Sequence, residues 1–315
     1  MSRALGRQLG YGARRVRELL ERRAVLVTGK GGVGKTTFAA SLAHLAARTG
    51  KRVLVAELSY EPQATSPLAG ALAIPRLGED PVQVAPNLRA VLLTPTAGHA
   101  RFLRATLPLG RLADAALKTA AVRRFLLAAP ALAEMGILYR LLDLAKARRR
   151  DGSPEHELII VDLPATGHAL GLAQVPTTIL QVIHAGPIAA AVREGLAMLR
   201  DGARTTSVVV TLPERLPVSE ASELVAGLRR HEIPFGGVVL NRVPRDPFVG
   251  EERAAVDALV KGRALLGMRT LPRLDGARAA LARLRELSLP VSLLDEVASE
   301  GPLALALAPR FGPLT

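Results

Sequence analysis

The chain has 315 residues, of which 49% are hydrophobic, and it carries 42 Lys and Arg against 28 Asp and Glu. This length and apolar content are typical of a globular protein with one large core. The sequence contains no cysteine, which excludes disulfides, thiolate metal ligands and cysteine nucleophiles, and its 3% of aromatic residues argues against a stacking platform for single-stranded nucleic acid.

Residues 1–23 form a basic segment that we predict to be an N-terminal helix or a leader. Its apolar face is short, which favours a surface helix over a helix that lies on a membrane. The segment has no apolar run of signal-peptide length, and no stretch of the chain approaches the about 20 apolar residues of a membrane span. We therefore expect a cytoplasmic protein with its main domain in residues 24–315.

A phosphate-binding motif follows the buried strand predicted for residues 24–28. Residues 29–37 read G-K-G-G-V-G-K-T-T, which meets the G-x-x-x-x-G-K-[ST] pattern of a P-loop. In this pattern backbone N–H groups surround the phosphates, Lys35 reaches the β- and γ-phosphates, and Thr36 binds Mg²⁺. A helix is predicted for residues 37–48, so the phosphates would lie at its N-terminus. The predicted nucleotide-binding residues are Gly29, Lys30, Gly31, Gly32, Val33, Gly34, Lys35, Thr36 and Thr37.

Strand-like runs alternate with helical patterns along the rest of the chain, which predicts an α/β fold with a mostly parallel sheet and helices on both faces. The runs are residues 52–56, 90–93, 158–161, 207–212 and 237–240. Ligands of such sheets bind at the carboxyl ends of the strands, where the P-loop, Glu57 and Asp162 would all lie.

A long segment at about residues 95–150 separates the predicted strands at residues 90–93 and 158–161 and is predicted to be an inserted helical subdomain. A lid packed on the sheet and a binding surface for an apolar partner both remain open for it.

A second motif lies in residues 159–168, which read I-I-V-D-L-P-A-T-G-H. It places a carboxylate at the end of a buried strand and follows it with turn residues. Asp162 is predicted to hold Mg²⁺ through a water and to orient the Thr36 hydroxyl, so Thr36 and Asp162 are the predicted metal residues. The following loop is placed to sense the γ-phosphate. His168 is predicted to report on this switch or to cap a helix.

With Lys30 in its P-loop and the motif at residues 162–168, the chain resembles the family of arsenite-pump ATPases and tail-anchored-protein targeting factors, most closely its bacterial branch. The deviant Walker A lysine and the long helical insertion both belong to that resemblance. It implies a P-loop NTPase whose dimer sandwiches ATP, with Lys30 reaching the partner's nucleotide. Lys30, Lys35 and Asp162 are candidate catalytic residues, and ATP and Mg²⁺ are the expected cofactors. It implies that Asp162 opens the second switch.

The same resemblance implies an adenine site late in the chain. Asn241 matches the adenine-binding Asn that follows a late strand, and Pro272 matches the loop that lines the base. The alternative for Asn241 is a turn residue at the end of a strand.

The first switch departs from the family pattern. In the family a strand runs into an Asp-Pro pair whose Asp positions the attacking water, whereas residues 53–62 read V-L-V-A-E-L-S-Y-E-P and place Ser59 at that position. Glu57 keeps the location at the strand end, and Glu61 keeps the carboxylate before proline. Either could orient the water, so both are candidate catalytic residues. If neither does, hydrolysis would be slow.

The composition also bears on partners. Arsenite binding in the pump ATPases uses thiolates, which this chain lacks, so arsenite is excluded as a ligand. The basic clusters are scattered along the sequence, which argues against nucleic acid. We therefore expect an ATPase that forms a homodimer, or a heterodimer with a related ATPase, and couples its nucleotide state to a protein or membrane client. The alternatives are a partition- or septum-type ATPase that organises on DNA or a membrane surface, and a weakly active regulatory subunit of a hetero-ATPase.

Overall fold

The computed structural model describes residues 14–60, 65–106, 130–165, 167–248, 250–260 and 270–311. Within these ranges, eight strands form a single sheet: β1 (Ala24–Gly29), β2 (Val53–Leu58), β3 (Val82–Ala85), β4 (Leu88–Leu93), β5 (Leu158–Asp162), β6 (Thr205–Thr211), β7 (Phe235–Val243) and β8 (Val291–Asp295). The strand order is β3-β4-β2-β5-β1-β6-β7-β8, and every neighbouring pair is parallel except β3 and β4.

Helices cover both faces of this sheet. They are α1 (residues 14–20), α2 (Lys35–Arg48), α3 (Pro67–Ala71), α4 (Pro95–Thr106), α5 (Pro130–Lys146), α6 (Gly167–Val182), α7 (Gly186–Arg200), α8 (Arg215–Arg230), α9 (Gly250–Val260), α10 (Thr270–Glu286) and α11 (Leu303–Leu307). None of the helices among the described residues has the length and hydropathy that a membrane span requires. The predicted α/β fold with a mostly parallel sheet is confirmed.

Two edge strands were missed by the sequence patterns. β3 is short, antiparallel and partly exposed, and β8 is only half-buried along most of its length. Neither shows the continuous apolar run that a strand buried on both faces requires. The six strands that the patterns did predict lie in the interior of the sheet, where both faces are covered.

The core has two layers, one on each face of the sheet. Along β1, Val25 and Val27 pack into one layer and Leu26 packs into the other, as the alternation of side chains along a strand requires. The first layer includes α1, whose Val16, Leu19 and Leu20 are buried. The short apolar face of the basic N-terminal segment is therefore part of the core.

The predicted insertion contains α4 and α5, while the prediction for residues 107–129 lies outside the described residues. The two helices cross at Gly98 and Gly136, where a side chain on Gly98 would overlap the backbone of Gly136. On the ring of His99, Nε2 donates to the carbonyl of Leu132 at 2.5 Å, and the rings of Phe102 and Tyr139 pack edge to face at 5.1 Å. These contacts hold α4 and α5 together as one unit.

Candidate nucleotide-binding site

The P-loop connects β1 to α2 at the carboxyl edge of the sheet. Gly29 has a φ of +148°, and a Cβ there would overlap the carbonyl oxygen of Val210 in the neighbouring strand. Gly34 has a φ of +93° and forms the N-cap of α2. These backbone conformations require glycine, so the glycines of the motif are fixed by the turn that carries the chain from strand to helix.

Thr36 and Asp162 meet in this site. The Thr36 hydroxyl donates to Oδ2 of Asp162 at 2.6 Å, and Asp162 is 5% exposed. Burial raises the pKa of Asp162 to about 6, although the Thr36 hydrogen bond and the nearby Lys35 charge favour its ionised form. Its other oxygen, Oδ1, is buried and has no hydrogen-bond partner in the part of the chain that the structure describes.

This donor set fits a magnesium ion. Mg²⁺ prefers oxygen ligands and is usually bound by one or two side chains together with substrate phosphates and waters. Thr36 supplies a hydroxyl oxygen, and the unpartnered Oδ1 of Asp162 is an acceptor that a metal-bound water would satisfy. Thr36 and Asp162 are therefore the residues that would hold the ion.

Lys35 is buried at the base of the P-loop. Its Nζ donates to the carbonyl oxygen of Lys30 at 2.8 Å, so the loop itself holds the ammonium within the site. Burial lowers the pKa of Lys35, and the neighbouring Asp162 partly opposes that shift. A cation desolvated in this way gains from contact with an anion, which is what a bound phosphate would supply.

Lys30, the second lysine of the loop, points to its own chain. Its Nζ lies 2.5 Å from Oε1 of Glu220 on α8, and the two side chains are 39% and 28% exposed. The other oxygen of Glu220 is buried without a partner among the described residues. The reach of Lys30 to a partner's nucleotide stays a prediction, and it would require this ion pair to open.

Glu57 lies beside Asp162, because the two residues are paired in the register of β2 and β5. Its Oε2 accepts from the hydroxyl of Ser66 and, at 2.9 Å, from the backbone N–H of Leu68. Ser66 is the N-cap of α3. The carboxylate thus anchors the start of α3, which favours a positioning role over direct contact with water. The other candidate, Glu61, lies outside the described residues, as do Thr166 and the side chain of His168.

Asn241 reaches the P-loop from the end of β7. It is buried, and its Nδ2 donates to the carbonyl of Val33 at 2.8 Å. The pairing of β7 with β8 shifts register between Leu240 and Val243, and Arg242 has a φ of +55°. Bulges of this kind re-aim side chains next to active sites. The amide therefore supports the loop backbone, and its adenine-binding role stays a prediction.

Pro272 is exposed in the first turn of α10, rather than in a loop.

A buried arginine connects α9 to α10: Arg253 on α9 donates to Asp257 at 3.0 Å and to Asp275 on α10 at 2.9 Å. Asp246, which follows β7, pairs with Arg278 of α10. These ion pairs join the segment after Asn241 to α9 and α10.

Sequence reasoning missed two residues that touch the site residues. Ser66 carried a signal, because a serine directly before proline is typical of a helix N-cap. Glu220 carried none, because it lies within an ordinary amphipathic helix and meets Lys30 only through the tertiary fold.

Comparison of the sequence with known protein families and proteins agrees with a nucleotide-binding site of this kind. The ArsA ATPase family model, described as anion-transporting ATPase, matches residues 22–186, more than half of the chain. ATPase BagA of Mycobacterium tuberculosis is 29% identical over 222 residues, which are 69% of this chain and 64% of BagA. This alignment therefore spans less than two thirds of BagA.

Two eukaryotic relatives are also similar. ATPase ASNA1 homolog 1 of Paramecium tetraurelia is 26% identical over 257 residues, which are 70% of this chain and 74% of that protein. ATPase ARSA1 of Chlamydomonas reinhardtii is 26% identical over 294 residues, which are 74% of this chain and 37% of that protein. With its P-loop and the family match over residues 22–186, the chain is a nucleotide-binding protein that belongs to the ArsA family of anion-transporting ATPases.

Proposed function

We propose that this chain is a Mg²⁺-dependent ATPase that dimerises on ATP and uses its nucleotide state to control a protein or membrane partner. The observation that carries the proposal is the contact of Thr36 with Asp162 at 2.6 Å, directly beside the P-loop. A hydroxyl and a buried carboxylate at this place are what nucleotide hydrolysis by P-loop proteins requires. Family membership supports the same reaction.

The reaction is the attack of water on the γ-phosphorus of ATP, in line with the bond to the bridging oxygen of ADP. The new P–O bond forms as the bond to ADP breaks, and the water's protons pass to phosphate and solvent. Mg²⁺, when bound, supplies positive charge that stabilises the charge developing on the phosphate oxygens. Thr36 and Asp162 would hold the ion. Lys35 and the N–H groups of the P-loop bind and orient the phosphates.

Lys30 would link dimerisation to hydrolysis in the proposed reaction. Its ammonium is partly exposed at the rim of the site and is held by Glu220 on the same chain. Exchange of Glu220 for the phosphates of a second chain's nucleotide would place an extra cation on the transferring group. Such cations supplied in trans stabilise the transition state of phosphoryl transfer. Dimerisation and hydrolysis would then be linked through one side chain.

The helical insertion is the part of the chain that we propose to respond to ATP hydrolysis and to contact the partner. α4 follows β4 directly, and α5 packs against α6, the helix that follows the Asp162 loop. A change in that loop on hydrolysis would therefore reach the insertion through a packed helix. The client is a protein or a membrane surface; arsenite does not fit, because the chain has no cysteine.

A second candidate function is a regulatory subunit with weak turnover of its own. It is favoured by the first switch, where Ser59 stands at the family's aspartate position and Glu57 is occupied with Ser66 and Leu68. Such a subunit would bind ATP tightly and hydrolyse it only when paired with a related ATPase. The same assay distinguishes the two candidates.

The test is phosphate release by the purified chain with ATP, with and without Mg²⁺, compared with Asp162→Asn and Thr36→Ala. The proposal predicts Mg²⁺-dependent turnover that each substitution lowers by about 100-fold or more. Glu223→Gln on α8 is a suitable control, because Glu223 is an exposed carboxylate. Tight ATP binding without turnover would favour the regulatory subunit, and turnover unaffected by Asp162→Asn would contradict the proposed site.

A further inference from the structure

Glu134 is a buried carboxylate that lies between the two switch segments. It is on α5 of the insertion and is 7% exposed. Tyr60, which follows the first-switch residue Ser59, lies close enough to interact electrostatically with it: burial raises the pKa of the Tyr60 hydroxyl, and the nearby charge of Glu134 raises it further. On its other side, a Cβ added to Gly171 of α6 would lie 3.5 Å from Oε1 of Glu134.

One oxygen of this carboxylate is unused. Oε2 of Glu134 is buried and has no hydrogen-bond partner in the described ranges. A buried polar atom without a partner is unfavourable, and a carboxylate oxygen more so than a neutral one. Core packing alone therefore does not account for a glutamate here. The free oxygen is an acceptor for a donor that arrives when the neighbouring segments move.

The helix that carries Glu134 moves together with the rest of the described insertion. Gly98 and Gly136 bring the backbones of α4 and α5 into contact, so neither helix can slide without displacing the other. His99 adds a hydrogen bond to Leu132, two positions before Glu134. A displacement of Glu134 would therefore move α4 and α5 together.

We propose that Glu134 is a positioning residue that couples both nucleotide switches to the helical insertion, through Tyr60 on one side and α6 on the other. This inference rests on the proposed function, because it assigns the residue that transmits the ATP state to the partner-binding part. When ATP changes the position of the first switch or of the Asp162 loop, Glu134 exchanges its contacts and α4 and α5 follow. In this role Glu134 does not touch the nucleotide.

Hydrogen–deuterium exchange tests the coupling directly. The wild-type chain is compared with Glu134→Gln and Tyr60→Phe, each with and without an ATP analogue that carries a nonhydrolysable γ-phosphate. Glu194→Gln is the matched control, because Glu194 is a half-exposed carboxylate on α7 that pairs with Lys146 of the same helix α5. Exchange is read separately in residues 29–37 and in α4 and α5.

In wild type and Glu194→Gln, we expect the analogue to change exchange in both regions. In Glu134→Gln, the P-loop should be protected as in wild type, while the change in α4 and α5 should fall at least threefold. Tyr60→Phe, which removes only one hydroxyl, should give a smaller loss of the same kind. A purely structural role would instead raise exchange in α5 without nucleotide and leave the response to nucleotide intact.

Different results would contradict the role of Glu134 and the proposed coupling of ATP to the insertion. If wild type protects its P-loop but shows no change in α4 and α5, the coupling in the proposed function is wrong, and this inference with it. If wild type shows the change and both variants keep it in full, Glu134 is not the coupling residue and the proposed function stands. Should Glu134→Gln fail to fold, Tyr60→Phe alone decides: an undiminished response overturns the inference.

Discussion

Lys30 and Glu220 form an ion pair of 2.5 Å across the rim of the nucleotide site. The pair joins the P-loop to α8 and occupies the ammonium that a second subunit's phosphates would need. Lys30 therefore has two competing partners, a carboxylate on its own chain and a nucleotide on another. Because the side chains are 39% and 28% exposed, the pair is a weak restraint of under about 1 kcal/mol rather than a fixed structural link.

Removal of the charge of Glu220 should favour the dimer. In Glu220→Gln, Lys30 loses its competing carboxylate, so we expect the ATP-dependent dimer to form at a protein concentration up to about fivefold lower, from a pair worth at most about 1 kcal/mol. Light scattering over a concentration series with ATP and Mg²⁺ measures this shift, and Glu223→Gln on the same helix is the control. A dimer that weakens in Glu220→Gln would show that the carboxylate supports the interface instead.

Asn241→Ala separates support of the P-loop from recognition of adenine. Loss of the hydrogen bond to Val33 should weaken nucleotide binding by about tenfold, since such a bond contributes about 1 kcal/mol and its buried carbonyl would be left unpaired. Titration with ATP and with GTP distinguishes the roles. An equal loss for both nucleotides indicates loop support alone, and a larger loss for ATP indicates adenine recognition. Unchanged binding of both would refute either role.

Glu57→Gln should reduce stability more than catalysis. The substitution weakens the hydrogen bonds to Ser66 and Leu68, so we expect the free energy of unfolding to fall by about 2 kcal/mol. Ser66→Ala removes one of these bonds together with the N-cap of α3 and should lower it by about 1 kcal/mol. Urea unfolding and kcat are measured in parallel. If kcat falls by about 100-fold while stability is unchanged, Glu57 acts on the attacking water after all.

His156 makes stability depend on pH in the acid range. Burial, then the charge of Arg89, lowers the pKa of His156 from 6.5 to about 4, so the folded chain holds the ring neutral. Between these values the unfolded chain binds the proton more strongly, and the free energy of unfolding therefore falls as pH decreases from 6.5 towards 4, by about 3 kcal/mol in all. Above pH 6.5 the His156 ring is neutral in both states, so it does not change the free energy of unfolding with pH.

Urea unfolding of wild type and His156→Gln across this range measures the contribution of His156. The variant has no titrating ring at this position, so its stability should fall less steeply with decreasing pH. Parallel curves for the two proteins would show that His156 keeps an ordinary pKa in the folded chain.

The predictable parts of the site are those that short sequence patterns determine. The P-loop glycines are required by backbone angles at Gly29 and Gly34, and Asp162 ends a short apolar run that is typical of a buried strand. The approach of Thr36 to Asp162 follows because β1 and β5 are neighbours in the sheet. Such features depend on strand ends and turns, which leave a direct pattern in the chain.

The parts that were not predictable depend on packing between distant segments. Glu220 meets Lys30 across 190 positions, and no pattern in α8 marks it. Gly98 and Gly136 look like weak points in two helices until the crossing brings their backbones together. Glu134 looks like an ordinary surface carboxylate, and only the fold places it in the core against Tyr60.

The ATP-dependent dimer can be tested directly by the molar mass of the chain with and without nucleotide. Wild type, Lys30→Ala and Lys51→Ala, a lysine outside the site, are compared by light scattering with Mg²⁺ and a nonhydrolysable ATP analogue. We expect wild type and Lys51→Ala to change from 33.3 kDa to twice that mass, while Lys30→Ala binds the analogue but stays at 33.3 kDa. A wild-type chain that binds the analogue and stays at 33.3 kDa would contradict the ATP-dependent dimer, and a Lys30→Ala chain that dimerises normally would contradict the role of Lys30 in it.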